Sequence, residues 1–301
     1  NMLLSVETEG QCINCHNYQA YNPNRMQFHA RQNHGGTVVA YDGKVKKVNM
    51  KNDSILSAGV YPAWHPWLKL IAYSTNKTMQ SFHTSDINKI EVFDSQSDLI
   101  IYDVDKNEVT NIENDSTEFE CYPTWSPDGK WLYYVSAHFE FRDTIPHEAE
   151  CIKRSKEIKY SIYRKSFNPE TMQFGPREMV FDAASLGKSA TLPRISPDGK
   201  YLLFSMGEWG CFHIWHRDAD LYMLRLADNK VWPLTKTNSP QAESFHNFSS
   251  NGKWIIFSSR RNDGDYTRLF FAHVDADGNT TKAFETIAYR FVTGVPFMLV
   301  K

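Results

Sequence analysis

"YPTWSPDGKWLYYVSA", residues 122–137, is a strand–turn–strand unit written out in full. A short extended run ends at Trp125, and Pro127 then sets φ for the first corner of a turn. Asp128 caps that turn, and Gly129 takes the positive φ that residues with a Cβ avoid. Six β-prone residues come next and run into small polar ones. The unit recurs as "YPAWHPWLKLIAYSTN" (61–76), "LPRISPDGKYLLFSMG" (192–207) and "FHNFSSNGKWIIFSSR" (245–260). Pro197, Asp198 and Gly199 repeat the turn chemistry, and Asn251-Gly252 supplies it in the last copy. The copy at Pro66-Trp67-Leu68-Lys69 has no glycine, which predicts a looser turn there.

A second hairpin comes after each copy, at 97–112, 160–181, 219–235 and 267–284. The copies are spaced 61, 70 and 53 residues apart, measured between Pro62, Pro123, Pro193 and His246. Four short strands per repeat describe propeller blades, which bury their two apolar faces only by stacking on neighbours. The "PTWSPDGKWLYYVSA" and "PRISPDGKYLLFS" units resemble the propeller repeats of the TolB family, related to WD repeats, over roughly residues 60–285. The expected fold is an all-β propeller over residues 37–301, preceded by a short N-terminal arm over 1–36. Five blades are expected, with six as the alternative if the chain is truncated. The fifth would combine the hairpin at 35–50, turning at Asp42-Gly43, with the C-terminal run 289–300. The insertion at 138–159 breaks the repeat and is expected over one mouth of the ring.

Composition supports a β-protein with ample core: 301 residues, 41% hydrophobic and 14% aromatic. Charge is mixed and nets −2. No basic block points to nucleic acid, and no apolar run reaches the ~18 residues a spanning helix needs. The opening "NMLLSVETEG" carries no basic n-region and no long apolar h-region, which leaves open a leader or lipid anchor that has been removed or lies outside this sequence.

The arm holds the chemistry. Cys12, Cys15 and His16 spell C-x-x-C-H, which a shuffled chain of this composition would show about three times per thousand. Two thiols three residues apart reach the two vinyl groups of one haem, and the adjacent His swings onto its iron. Zinc is the main rival, but adjacent Cys15 and His16 are awkward joint ligands of one small ion. A redox dithiol or free thiols is the third option. For the second axial ligand the reading ranks His29 first, because Phe28 beside it can pack on the macrocycle, then Met26, then His34. Arg25 or Arg31 could pair with a propionate. One covalent haem c is thus expected, with His16 and His29 (alternatively Met26) on the iron.

The whole chain resembles bacterial envelope proteins in which a C-x-x-C-H segment precedes a TolB-like propeller. That resemblance implies export to the periplasm, outer membrane or cell surface, and a protein partner in an envelope complex. The expected role is electron transfer or a redox-linked function. A non-redox scaffold binding protein or glycan, with the haem or a metal structural, is the alternative. Cys121 and Cys151 could pair in an oxidising compartment, and buried free thiols are equally open. The run "CFHIWHRDADLY" (211–222) reads as a strand with His213 and His216 on alternating faces, and "DADGN" (275–279) as a hairpin turn. No G-x-S-x-G elbow supports a hydrolase, and no catalytic residue is assigned.

Overall fold

The computed structural model describes residues 13–31, 35–142 and 144–285. They form five four-stranded antiparallel sheets, each a meander in chain order. The first contains β1 (Ile13–Tyr18), β2 (Arg25–Ala30), β3 (Gly36–Tyr41) and β4 (Lys44–Val48). The second contains β5 (Gly59–Trp64), β6 (Leu70–Phe82), β7 (Ile90–Asp103) and β8 (Glu108–Glu113). β9 (Glu118–Trp125), β10 (Trp131–His138), β11 (Ser161–Asn168) and β12 (Gln173–Phe181) make the third, joined to the second by one parallel bridge, Ser97 to Phe119. The fourth is β13 (Ser189–Ile195), β14 (Tyr201–Gly207), β15 (Asp220–Arg225) and β16 (Lys230–Pro233). β17 (Glu243–Phe248), β18 (Trp254–Ser259), β19 (Arg268–His273) and β20 (Phe284–Glu285) complete the set. Successive first strands pack on one another, β1 on β5, β5 on β9, β9 on β13 and β13 on β17. Among the described residues β17 and β1 show no comparable packing.

The first sheet departs from the expected division of the chain. Residues 13–48 supply all four of its described strands, and the run 289–300 lies outside the described residues. The expected boundary between arm and propeller at 36/37 falls inside this sheet, whose first two strands are the arm's own residues. The repeat was disguised there. Asn22-Pro23-Asn24-Arg25 replaces the usual turn, and Ala20 and Tyr21 add two left-handed residues (φ 45° and 64°) before it.

All five first strands carry a bulge at the same place. The left-handed residue in each is Cys15, Tyr61, Tyr122, Leu192 or Phe245, with φ between 46° and 56°, and strand register shifts there in every case. None is glycine, so each costs about 1–2 kcal/mol of backbone strain. The extra residue breaks side-chain alternation and re-aims the rest of the strand. Tyr61 and Tyr122 thereby meet at 4.4 Å between ring centroids, with Phe212 6.4 and 6.3 Å away.

The turns behave as their residues demand. Gly129, Gly199 and Gly252 have φ of 59°, 72° and 69°. The serine before each turn organises it: Ser126 Oγ donates to Asp128 and accepts Trp131 N–H at 3.0 Å, and Ser196 does the same with Asp198 and Tyr201. In the glycine-less copy the His65 ring replaces the serine, its Nδ1 accepting the Leu68 N–H at 3.1 Å.

The β6–β7 hairpin departs from the repeat. Its strands run 13 and 14 residues, and their outer halves leave the second sheet as a strap reaching toward the third and fourth. Phe93 on the strap joins the core built by Phe119, Phe139, Cys151 and Phe204. The insertion at 138–159 folds here as α1 (His147–Lys153), packed on β7. Residues 213–215 form a 3-10 turn, not the expected strand, and β15 starts only at Asp220. Both histidines there are buried (His213 0%, His216 0% exposed), so the alternating-face reading fails.

Candidate functional site

Strand register sorts the C-x-x-C-H neighbourhood into two faces. Asn14 opposes His29 and Asn17 opposes Gln27, and on the next strand His29 and Gln27 oppose Thr37 and Val39. Cross-strand partners share a face. This face looks at the second sheet: the Tyr73 hydroxyl donates to Gln27 Oε1 at 3.2 Å, and Val39 packs in one core with Ile71 and Tyr73. His29 therefore points inward, its Nδ1 3.2 Å from the Thr37 hydroxyl. Burial, then the charges of Arg31 and Lys51, lower its pKa.

His16 sits on the other face. Its ring meets Tyr18 edge-on at 6.4 Å, and Tyr18 opposes Met26. Met26 and Phe28 alternate with Gln27 and His29, so they share the face of His16. His16 Nε2 is buried without a hydrogen-bond partner, and burial lowers its pKa. The ring is thus neutral at pH 7 with unused hydrogen-bonding capacity. Cys15 is 6% exposed, and its thiol lies in the field of the Tyr61 and Tyr73 hydroxyls, at the seam with the second sheet. Cys12 and His34 lie outside the described residues. Arg25 is committed to Asp42 at 2.9 Å. With the Asn14 amide turned to accept, Arg31 donates to it at 2.8 and 3.0 Å.

The sequence reading missed a second site, at the tip of the strap. Glu91, 1% exposed, accepts from Trp209 Nε1 (2.9 Å) and lies 2.9 Å from His83 Nε2 and 3.1 Å from His216 Nε2. Asn88 Oδ1 accepts the Arg217 N–H at 2.8 Å, and Lys156 pairs with Asp86 at 2.8 Å. Beside this latch opens a cleft of about 530 Å³, lined by Asp86, Asn88, Trp209, Arg217, Asp218 and Asp220 among others. Burial, then neighbouring Asp218, pushes the Asp220 carboxyl up to about 6. The alternation of β15 shows only where Asp220 begins, so nothing local in the sequence announced the cleft.

The remaining cysteines are buried free thiols, so Cys121 and Cys151 are not paired. Cys121 accepts from Asn76 Nδ2 at 3.4 Å instead, and Cys211 donates to Asp94 at 3.8 Å. The same Asp94, wholly inside, is pushed up to about 6 by burial against hydrogen bonds from Thr78 and Asn76. Among the described residues no group of three or more His, Cys, Asp or Glu is arranged to hold a metal ion. No helix there is long and apolar enough to cross a membrane.

No protein-family model matches the chain, and no curated protein matches it by sequence. Solved structures do. TolB from Acinetobacter baumannii superposes with a TM-score of 0.55 at 14% identity, over 92% of this chain and 55% of that one. A structure described as TolB from Agrobacterium tumefaciens gives 0.55 at 16% identity, over 92% and 82%. Kuenenia stuttgartiensis hydrazine synthase gives 0.50 at 11%, over 86% and 61%. At such identities the likeness is one of fold: the sheets are those of a TolB-like β-propeller.

Proposed function

We propose that this chain is an exported β-propeller that carries one c-type haem on its first sheet and serves electron transfer or a redox-linked step in an envelope complex. The observation carrying the reading is His16: it ends a C-x-x-C-H motif, and its Nε2 is buried with no partner. A neutral imidazole held this way suits an axial ligand, because an unprotonated ring nitrogen is what binds iron. Of the residues weighed as second ligand, Met26 shares the face of His16, and His29 is occupied on the opposite face. Phe28 offers apolar cover on that face, whereas Arg31 is held by Asn14 on the His29 side. Cys15 fits least well, since its thiol must turn out of the seam for a thioether to form. Haem, when bound, supplies a reversible one-electron couple at its iron. The protein's part is to orient it, exclude water from one side and dock a partner.

The test is intact mass with a pyridine haemochrome assay on protein exported alongside a haem-attachment system. One added haem, lost in Cys12→Ser and Cys15→Ser, is expected. A folded, colourless protein of unmodified mass would overturn the reading. The strap cleft favours a second reading, a non-redox scaffold that binds protein or glycan there. It takes over if the colourless protein still binds a partner.

A further inference from the structure

The strap cleft of about 530 Å³ has carboxylates left over on one wall, those of Glu208, Asp218 and Asp220. Gly207, the last residue of β14, adjoins that wall. Met206 before it opposes Asp220, and Asp218 Oδ2 accepts the N–H of Glu208 after it at 2.7 Å. The cations nearby are engaged elsewhere. Lys156 pairs with Asp86 at 2.8 Å and lies 4.6 Å over the Trp209 ring, and Arg217 Nε donates to the Pro240 carbonyl at 3.1 Å. Lys159 Nζ donates to the backbone carbonyl of Glu208. Among the described residues no cation comes within ion-pair distance of the three carboxylates. Burial, then Asp218, raises Asp220 to about 6, and the field of Lys188 offsets only part of this.

A further acceptor lies behind these carboxylates. His213 is 0% exposed, and its Nε2 has no hydrogen-bond partner. Ser205 fixes the tautomer. Its one hydroxyl proton goes to the Glu243 carbonyl at 3.0 Å, so its oxygen accepts from His213 Nδ1 at 3.1 Å. Nε2 is then a bare lone pair, which can only accept. Burial, then neighbouring His216, lowers the pKa of the ring to about 3, so it is neutral at pH 7. The missing side chain of Gly207 leaves space in front of it: a Cβ there would lie 3.3 Å from His213 Nε2 and 3.3 Å from Asp218 Oδ2. Two acceptors from different parts of the loop thus border one small space beside the cleft, and His213 receives no donor there.

We infer that the strap cleft binds a primary ammonium group, seated beside Gly207 among Asp218, Asp220 and His213 Nε2. An ammonium carries three donors on one compact nitrogen, which suits acceptors closing on a small space, whereas a planar guanidinium needs a wider fork. A metal ion fits less well, because among the described residues no group of three or more His, Cys, Asp or Glu is arranged to hold one. A small diamine and the lysine side chain of a partner both present the required group. This names the ligand chemistry of the cleft on which the scaffold reading rests. It is separate from the haem, since none of its residues belongs to the first sheet.

The experiment is titration calorimetry on the full chain at pH 7 and constant ionic strength. Methylammonium, diaminobutane and an end-blocked Gly-Lys-Gly peptide are compared with tetramethylammonium, guanidinium and the same peptide acetylated on its lysine. Saturable binding of the three amines over tetramethylammonium and the acetylated peptide is expected. Gly207→Ala should weaken it about tenfold or more, because the added methyl fills the space. Gly207 is not among the residues of positive φ, so its backbone accepts alanine. Asp218→Asn keeps an acceptor for the Glu208 N–H and removes the charge at an exposed position, and it too should weaken binding about tenfold, whatever the folding of the alanine variant. Peptide binding tighter than diaminobutane identifies a partner's lysine as the source, and binding no tighter identifies a free amine. Amines indistinguishable from tetramethylammonium, guanidinium binding tighter than methylammonium, or Asp218→Asn binding as wild type would overturn the site. That failure is distinct from failure of the scaffold reading, which turns on whether the colourless protein binds any partner.

Discussion

Cys15 occupies in the first sheet the position that Tyr122 occupies in the third: each is the left-handed residue, at φ 52° and 54°, where the innermost strand bulges. The motif that looked like a separate appendage is therefore part of the repeat.

The two Pro-Asp-Gly-Lys turns should respond differently to the same substitution. A Cβ on Gly129 would lie 2.5 Å from His65 Nε2, whereas on Gly199 it would meet nothing nearer than Pro127 Cδ at 4.0 Å. Gly199→Ala should cost about 1–2 kcal/mol for positive φ alone. Gly129→Ala should cost about 2 kcal/mol more, because the His65 ring that organises its own turn must move. Urea unfolding of both variants checks this, and equal costs would refute it.

The strap depends on Glu91. Burial disfavours its charge, but hydrogen bonds from His216, His83 and Trp209 outweigh that and hold its pKa below 4.5. A lowered carboxylate stabilises the fold above the unfolded value, and the contribution is lost as pH falls below 4.5. Glu91→Ala leaves those donors unpaired and should destabilise by about 3 kcal/mol at pH 7. The cost should shrink toward pH 3. Chemical denaturation at several pH values reads both effects.

Two buried histidines should make the protein acid-sensitive earlier than its carboxylates do. Burial lowers His213 and His246 from 6.5 to about 3. The unfolded chain takes up their protons first, so stability is full above 6.5 and falls as pH drops from there toward 3. The slope is at most about 1.4 kcal/mol per pH unit for each histidine. His246→Gln should flatten the profile between pH 6 and 4, measured as unfolding midpoint against pH. An unchanged slope would mean that His246 is not neutral in the fold.

Glu120 works in the opposite direction. It is 0% exposed, both carboxyl oxygens lack partners, and burial with Asp98, Glu113 and Glu118 nearby pushes it up to about 9. The folded protein keeps this proton between pH 4.5 and 9 while the unfolded chain releases it, so stability declines as pH rises through that window. Glu120→Gln should add on the order of 1 kcal/mol at pH 8 and less at pH 5. Thermal melts at the two values decide it.

The repeated turns made the last four sheets legible, because Pro, Asp and Gly act through local backbone preferences that need no tertiary context. The first sheet escaped for the complementary reason. Its turn uses Asn22-Pro23-Asn24, and its bulge residue is a cysteine whose chemistry drew attention from its geometry. The strap and the Glu91 latch were illegible because they join residues scores of positions apart, such as Glu91 and His216, whose identities are ordinary one by one. His29 looked better than Met26 as a partner for His16 because Phe28 beside it could pack on the macrocycle. Only strand register separates their faces.

Repeat arrays with nearest-neighbour seams generally shed units one at a time from their ends. The hairpin of the second sheet skips over that rule by fastening itself to the fourth. Hydrogen exchange should accordingly show the middle three sheets opening together as one cooperative block, with the outermost two fraying independently on either flank.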